Sequence, residues 1–358
     1  MKKILSILLS LALIISCITV GAAADTTKYY TYTDNGDGTC SITGYKDFKT
    51  ENVGIPEELD GLTVVSITGF RQKNAIKYVK IPDTVVEIGA NAFTSCKKLK
   101  SVTIGQSVKS IGKSAFSNCA ELTQINLRNT EYVGEMAFYG CSALDWVHCG
   151  TALKEIGTRA FWNAKKLSTL VFSDTLEIIG DYAFSGCELL PSPTFPDSLR
   201  TIGYSAFSNC LAFETITFGS GPLTIGAYAF ENCTLLTEVT IPENIVSIGT
   251  NAFTFRETDS IQTSHPVKII CHANSAGVDY SIASSAPVYI IELGRTLIFG
   301  DIDGDGRSTT LDARKALRLA SKMESGVTDE MLLLGDLNHN GYFDLEDANT
   351  ILKRVSGV

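Results

Sequence analysis

Residues 111–116 read Ile111-Gly112-Lys113-Ser114-Ala115-Phe116, and the same Ile-Gly-x-x-Ala-Phe frame returns down the chain. It stands as IGANAF at 88–93, VGEMAF at 133–138, IGTRAF at 156–161, IGDYAF at 179–184, IGYSAF at 202–207, IGAYAF at 225–230 and IGTNAF at 248–253. Phe93, Phe116, Phe138, Phe161, Phe184, Phe207, Phe230 and Phe253 are spaced by 23 residues, with one step of 22. Phe70, 23 before Phe93, marks a degenerate first copy, so nine coils are countable. Six residues after each Phe comes an apolar position (Leu99, Leu122, Leu144), and most copies add two more, as in Val102 and Ile104 or Ile125 and Leu127. That alternation places every second residue on one face of a short strand. The Ile-Gly pair then turns the chain, and xxAFxxC predicts one or two short helical turns with Ala, Phe and Cys inward. No copy buries its apolar set alone, which is why a repeat of this length must stack.

These strings resemble the BspA-like leucine-rich repeat family over residues 30–293. The resemblance implies a β-rich solenoid with a short strand and a short helical turn per 23-residue coil. Residues 30–67 read as a hairpin with a Gly-rich turn and an entry strand that caps the first coil. Residues 267–293 lack the repeat string and look like a terminal strand-helix-strand cap, and 254–266 read as an inserted loop. Cys96, Cys119, Cys141, Cys187, Cys210 and Cys233 each lie three residues after a repeat Phe, and Ala164 replaces the cysteine in one coil. A position that accepts Cys or Ala is a small apolar slot, which predicts a ladder of inert thiols. Stacked thiols also leave a disulfide open.

The 358 residues are 44% hydrophobic with a net charge of −9, enough chain for about two domains and the wrong sign for a nucleic-acid partner. Lys2 and Lys3, the apolar run Ile4 to Val20 and the small residues Ala22 and Ala24 predict a signal peptide over 1–24, hence a secreted, extracellular protein. A competing lipobox-like cut would leave a lipid-anchored Cys17. No other stretch is long and apolar enough to predict a membrane span. The domain reading is a signal peptide at 1–24, the repeat domain with its caps at 25–293, a short linker at 294–299 and a second domain at 300–358.

In that second domain GDIDGDGRSTTLD supplies Asp301, Asp303, Asp305, Thr309 and Asp312, with the Arg307 carbonyl, at loop positions one, three, five, nine, twelve and seven. Thirty-five residues on, GDLNHNGYFDLED repeats the offsets with Asp336, Asn338, Asn340, Asp344 and Asp347, with the Tyr342 carbonyl. Hard oxygens around a glycine turn suit calcium, so two calcium ions are expected. Each loop runs into an amphipathic helix, with Ala313, Ala316, Leu317 and Ala320, and Ala348, Ile351, Leu352 and Val355, as the inner face. Two such half-hands, each ending in Asp, resemble a type I dockerin, a small all-α module that plugs into the cohesin domain of a scaffoldin in cellulosome-type assemblies. The resemblance implies scaffold-bound display at the cell surface. It also implies cohesin contacts at Thr310, Leu311, Leu317, Arg318 and Lys322, and at Leu345, Glu346, Leu352 and Lys353.

No HExxH or GxSxG string occurs, and the expectation is a non-catalytic binding or adhesion protein. The alternative is a polysaccharide-active enzyme or a carbohydrate-binding accessory protein. On the open strand face Gln124, Asn126, Arg128, Trp146 and His148 are the expected patch for a protein or glycan ligand, an aromatic flanked by amides.

Overall fold

The computed structural model describes residues 27–356, except 48, 255–266, 273–274, 285–287, 291–294, 298–299, 303–306, 322–330, 332–333 and 338–342. The signal-peptide segment 1–24 with Cys17, and the loop expected at 254–266 apart from Thr254, lie outside the described residues. By packing, the chain divides in sequence into residues 1–176 and 177–358. That division falls inside the repeat.

In residues 1–176 the chain opens with a hairpin, Tyr30–Asp34 antiparallel to Thr39–Tyr45, whose turn holds Gly36 and Gly38 at φ 83°. Leu62–Ile67 continues from it in parallel and starts the first ladder of coil strands. Each coil contributes two short strands. One set (Tyr78–Lys80, Ser101–Thr103, Gln124–Asn126, Trp146–His148, Thr169–Val171) forms a parallel sheet. The other set (Glu87–Ile88, Ser110–Ile111, Tyr132–Val133, Glu155–Ile156) forms a second parallel ladder, so the Ile of each Ile-Gly pair ends a strand. Between the ladders Phe70, Phe93, Phe116, Phe138 and Phe161 stack with centroids 4.9, 5.2, 5.3 and 5.1 Å apart, all fully buried.

The helical turn expected in xxAFxxC is absent. Ser114 and Asn118 have φ of 55° and 59°, and this left-handed alternation sends successive amides in different directions. Ala115, Ser117 and Cys119 N–H donate within the coil to Gly112, Ser114 and Phe116, at 3.2, 3.1 and 3.2 Å. The amides between them, of Ser114, Phe116 and Asn118, donate to Glu135, Ala137 and Tyr139 of the next coil at 2.8, 2.7 and 2.7 Å. A helix would satisfy every amide inside one coil and leave the stack without these bridges. The left-handed residues cost roughly 1–2 kcal/mol each, which the inter-coil bonds offset.

In residues 177–358 Ile178–Ile179, Thr201–Ile202, Leu223–Ile225 and Ile245–Ile248 form a parallel ladder. Phe184, Phe207, Phe230 and Phe253 stack at 5.3, 5.5 and 5.3 Å. Beyond them Glu238–Ile241, Lys268–Cys271 and Val288–Ile290 pair in parallel, with helix α1 (Ala276–Ser284) lying in sequence between the last two. Arg295–Leu297, inside the stretch expected to be a linker, is a strand antiparallel to Val288–Ile290. Helices α2 (Thr310–Ala320) and α3 (Leu345–Ser356) follow and pack on each other.

Candidate functional site

The register of the first sheet sets Gln124 opposite Trp146 and Asn126 opposite His148 on neighbouring parallel strands. Ile125 and Val147 between them are buried, so the four side chains share the outer face. The Trp146 and His148 rings lie 5.7 Å apart, 26° from parallel. Two of the expected ligand residues also hold the backbone. Asn126 Oδ1 accepts the Arg128 N–H at 3.0 Å, and His148 Nδ1 accepts the Gly150 N–H at 3.1 Å, leaving the imidazole proton on Nε2. Arg128 has φ 49° and Gly150 φ 69°. A Cβ on Gly150 would stand 1.7 Å from the Arg128 carbonyl oxygen, so the two coils approach too closely here for any side chain.

The C-terminal segment repeats its hydrogen bonds at the sequence's own 35-residue offset. Asp312 Oδ1 accepts from Ile302 N–H at 2.8 Å and Oδ2 from Thr309 N–H at 2.7 Å. Asp347 Oδ1 accepts from Leu337 N–H at 2.8 Å and Oδ2 from Asp344 N–H at 2.9 Å. Thr309 caps α2, its hydroxyl accepting the Leu311 N–H at 3.1 Å in a capping box with Asp312. Asp312 and Asp347 are fully buried and Asp301 nearly so, while Asp336 and Asp344 are half-buried and Arg307 is exposed. Asp303, Asp305, Asn338, Asn340 and Tyr342 lie outside the described residues. Among the described residues no group of three His, Cys, Asp or Glu stands ready to hold a metal.

Buried carboxylates are costly unless charge or hydrogen bonds compensate. Two amide donors per carboxylate offset part of that, and the Thr309 hydroxyl adds a further bond to Asp312 Oδ2 at 3.1 Å. This all-oxygen donor chemistry fits a hard divalent cation. The expected inner face of the helices needs correction. Ala313 and Ala316 are buried together with Leu319, whereas Leu317 is 47% exposed. In α3 Ala348 and Ile351 are buried while Leu352 is 48% exposed. Each helix carries two apolar stripes, and only the one facing the other helix is covered. Leu311 and Leu345, 59% and 51% exposed, join the uncovered set beside exposed Thr310, Arg318, Glu346 and Lys353. Lys322 lies outside the described residues.

The nine described cysteines are free thiols, so the disulfide left open by the sequence does not form among them. Five of these thiols donate instead to the carbonyl of a Phe one coil earlier: Cys96 to Phe70 at 3.0 Å, Cys119 to Phe93 at 3.2 Å, Cys141 to Phe116 at 3.2 Å, Cys210 to Phe184 at 3.4 Å and Cys233 to Phe207 at 3.4 Å. Burial pushes Cys96 up to about 11 and Cys141 and Cys149 up to about 12, which keeps them neutral and unreactive.

Two overlapping stretches, residues 63–176 and 154–274, match the family model described as BspA type Leucine rich repeat region, in six copies. Together they span more than half of the chain. The protein is a member of the BspA-type leucine-rich repeat family. A solved leucine rich cell surface protein from Faecalibacterium prausnitzii A2-165 is 28% identical, with a TM-score of 0.50, over 64% of this chain and 75% of that one. A Treponema pallidum leucine-rich repeat protein is 22% identical with a TM-score of 0.43, over 58% and 88% of the two chains. The pneumococcal vaccine antigen PcpA is 16% identical with a TM-score of 0.35, over 73% and 96%. No curated protein matches the chain. The BspA-type match ends at residue 274, so it covers the coils and leaves the paired helices α2 and α3 to be read from their own residues. Among the described residues no helix is long and apolar enough to cross a membrane. Sequence reading did not find the backbone role of Asn126 and His148; a polar residue two before a left-handed position is the signal that marks it.

Proposed function

We propose that this BspA-type protein is a secreted, non-catalytic binding or adhesion protein of the cell surface, displayed through a calcium-dependent C-terminal dockerin that takes the cohesin domain of a scaffoldin. The similarity to a leucine rich cell surface protein of F. prausnitzii supports the first half. The observation that carries the second is the duplication of buried Asp312 and Asp347, each accepting two loop amides at the same 35-residue offset. Asp301, Asp303, Asp305, Thr309, Asp312 and the Arg307 carbonyl would hold one ion. Asp336, Asn338, Asn340, Asp344, Asp347 and the Tyr342 carbonyl would hold the other. Calcium there would supply the positive charge that lets the acidic loops close and the helices pack. The exposed leucines of α2 and α3, flanked by Arg318 and Lys353, form the apolar, basic-edged surface proposed for cohesin, with Thr310, Leu311, Lys322, Leu345 and Glu346. The solenoid would present Gln124, Asn126, Arg128, Trp146 and His148 to a protein or glycan.

Calorimetric titration of the chelator-stripped full chain tests this. Two calcium ions per chain, and cohesin capture only with calcium, is the expected result. No calcium uptake, or capture that survives chelator, would remove the dockerin half of the reading and leave the adhesion half standing.

A further inference from the structure

The turn of the N-terminal hairpin, residues 35–38, joins Tyr30–Asp34 to Thr39–Tyr45 and begins with Asn35 followed by Gly36. Asn-Gly occurs twice in the chain, here and at 340–341, and only this pair lies among the described residues. Asp34, Asn35, Gly36 and Asp37 are all exposed to water. The hydrogen bonds around Asn35 give its atoms and its neighbour's amide distinct chemical environments. Gly36 N–H donates to Asp34 Oδ1 at 2.8 Å. The Ser41 hydroxyl donates to Asn35 Oδ1 at 3.2 Å, and Asn35 Nδ2 donates to Thr39 Oγ1 at 2.8 Å. An amide bonded to a carboxylate gains electron density on its nitrogen, and a carbonyl that accepts a hydroxyl proton is a better electrophile. Gly36 has φ 83°, and a Cβ there would meet nothing within 4 Å, so neither a side chain nor packing shields its nitrogen. Asp37-Gly38, in the same turn, has the same spacing and a poorer electrophile. Asp37 Oδ1 accepts the Thr39 hydroxyl at 2.6 Å and the Thr39 N–H at 3.0 Å, which holds the carboxyl below its ordinary value and keeps it ionised. A carboxylate resists nucleophilic attack, whereas the carboxamide of Asn35 is neutral.

We infer that Asn35-Gly36 is a self-modification site, at which the hairpin's own groups promote loss of the Asn35 side-chain nitrogen as ammonia. The Gly36 nitrogen attacks Asn35 Cγ and forms an N–C bond that closes a five-membered ring. Its proton passes to Asp34 Oδ1, the base already bonded to it, and the Ser41 hydroxyl steadies the negative charge that builds on Asn35 Oδ1. The Cγ–Nδ2 bond then breaks, the proton returns from Asp34 to Nδ2 through solvent, and ammonia leaves a succinimide. Water adds to one of the two ring carbonyls and opens the ring, giving aspartate or isoaspartate at 35, with no change in oxidation state. The product removes the Nδ2 donor to Thr39 and places a new carboxylate beside Asp34 and Asp37, so the turn loses a bond and gains repulsion. Isoaspartate also lengthens the backbone of the turn by one methylene. Because Thr39–Tyr45 pairs with Leu62–Ile67 at the head of the first ladder, the change falls on the cap of the first coil. Neither the adhesion reading nor the dockerin reading enters this inference.

The test is timed incubation of the full chain at neutral pH, folded and in urea, followed by tryptic digestion and mass spectrometry of the peptide spanning residues 29–46. Conversion of Asn35 to aspartate and isoaspartate is expected to run about tenfold or more faster in the folded chain than in urea. Asp34→Ser, whose hydroxyl can still accept the Gly36 amide, and Ser41→Ala should each slow the folded chain about tenfold and leave the rate in urea unchanged. Asn35→Gln, which would need a larger ring, should abolish conversion in both. Amide exchange over Tyr30–Asp34 verifies that each variant keeps the hairpin, and if Asp34→Ser loses it, Asp34→Asn provides the same removal of charge with the acceptor kept. Conversion no faster in the folded chain than in urea overturns the inference, because the fold would then be protecting Asn35. So does an unchanged folded rate in the Asp34 and Ser41 variants, or an equal slowing in urea.

Discussion

The coils and the paired C-terminal helices are both internal repeats, and they are held by opposite means. In the coils the repeated element is an apolar column: Phe93, Phe116 and Phe138 stack face to face, and the cysteines behind them donate to backbone carbonyls rather than to one another. In the C-terminal segment the repeated element is a buried acid, Asp312 or Asp347, ringed by loop amides. Nothing ionic needs to be neutralised for the column to close, whereas the acidic pair ties its fold to whatever neutralises it. The contrast teaches that repetition alone says little about what stabilises a segment. The chemistry of the repeated residue decides it.

The sharpest way to break the contrast is to remove the proposed calcium. Hydrogen exchange on the full chain should show amides of α2 and α3 losing protection in chelator while those around Phe93 and Phe116 are unchanged. At a hundredfold excess over Kd each site contributes about 2.7 kcal/mol, so two sites give a change of several orders of magnitude in exchange. Equal protection with and without chelator would abolish the distinction between the regions.

Next in size is truncation of the column. Phe116→Ala should cost about 3–5 kcal/mol, read from the urea midpoint, because the neighbouring rings at 5.2 and 5.3 Å cannot both close the gap. Cohesin capture should be unaffected by it under conditions where the chain stays folded. Gly150→Ala belongs to the same class, since its Cβ meets the Arg128 carbonyl, and it should destabilise the coils by at least about 2 kcal/mol.

A smaller effect separates the regions by pH. Cys141 and Cys149 are held at about 12 in the fold, against an ordinary value of 9.0. A thiol raised in this way is neutral in both states below pH 9.0, so its contribution is fully present there. Above that the unfolded chain loses the proton first, and stability falls until pH passes about 12. The slope is about 1.4 kcal/mol per pH unit for each thiol. Unfolding in urea at pH 8 and at pH 10.5 measures it, and a Cys141→Ala, Cys149→Ala double variant should flatten the dependence. An unaltered slope would mean that these thiols do not govern the alkaline limb.

The smallest expected change in stability is at the sheet face. Trp146→Ala should shift the urea midpoint by well under the Phe116→Ala effect, while Asn126→Ala should cost about 1 kcal/mol through its lost bond to the Arg128 amide. A Trp146 effect as large as that of Phe116 would show that the ring belongs to the column's support and not to a ligand face.

The sequence by itself determined the coil length, the inward Phe, Ala and Cys positions and the hairpin before the first coil. Each of these is written in side-chain type at a fixed offset, and eight copies of one string average away local noise. The tertiary structure alone decided the rest. The left-handed turns at Ser114 and Asn118 arise because alternate amides must reach carbonyls one coil away, and Asn118, Gly140, Asn163, Gly186, Asn209 and Asn232 are the trace of that demand in the sequence, legible only once the turn is known. The second ladder through Ile88 and Ile111 is hidden because two-residue strands are too short to show an alternation. In α2 the sequence reading takes Leu317, with Ala313, Ala316 and Ala320, as the inner face, whereas packing against α3 buries Leu319 and leaves Leu317 exposed.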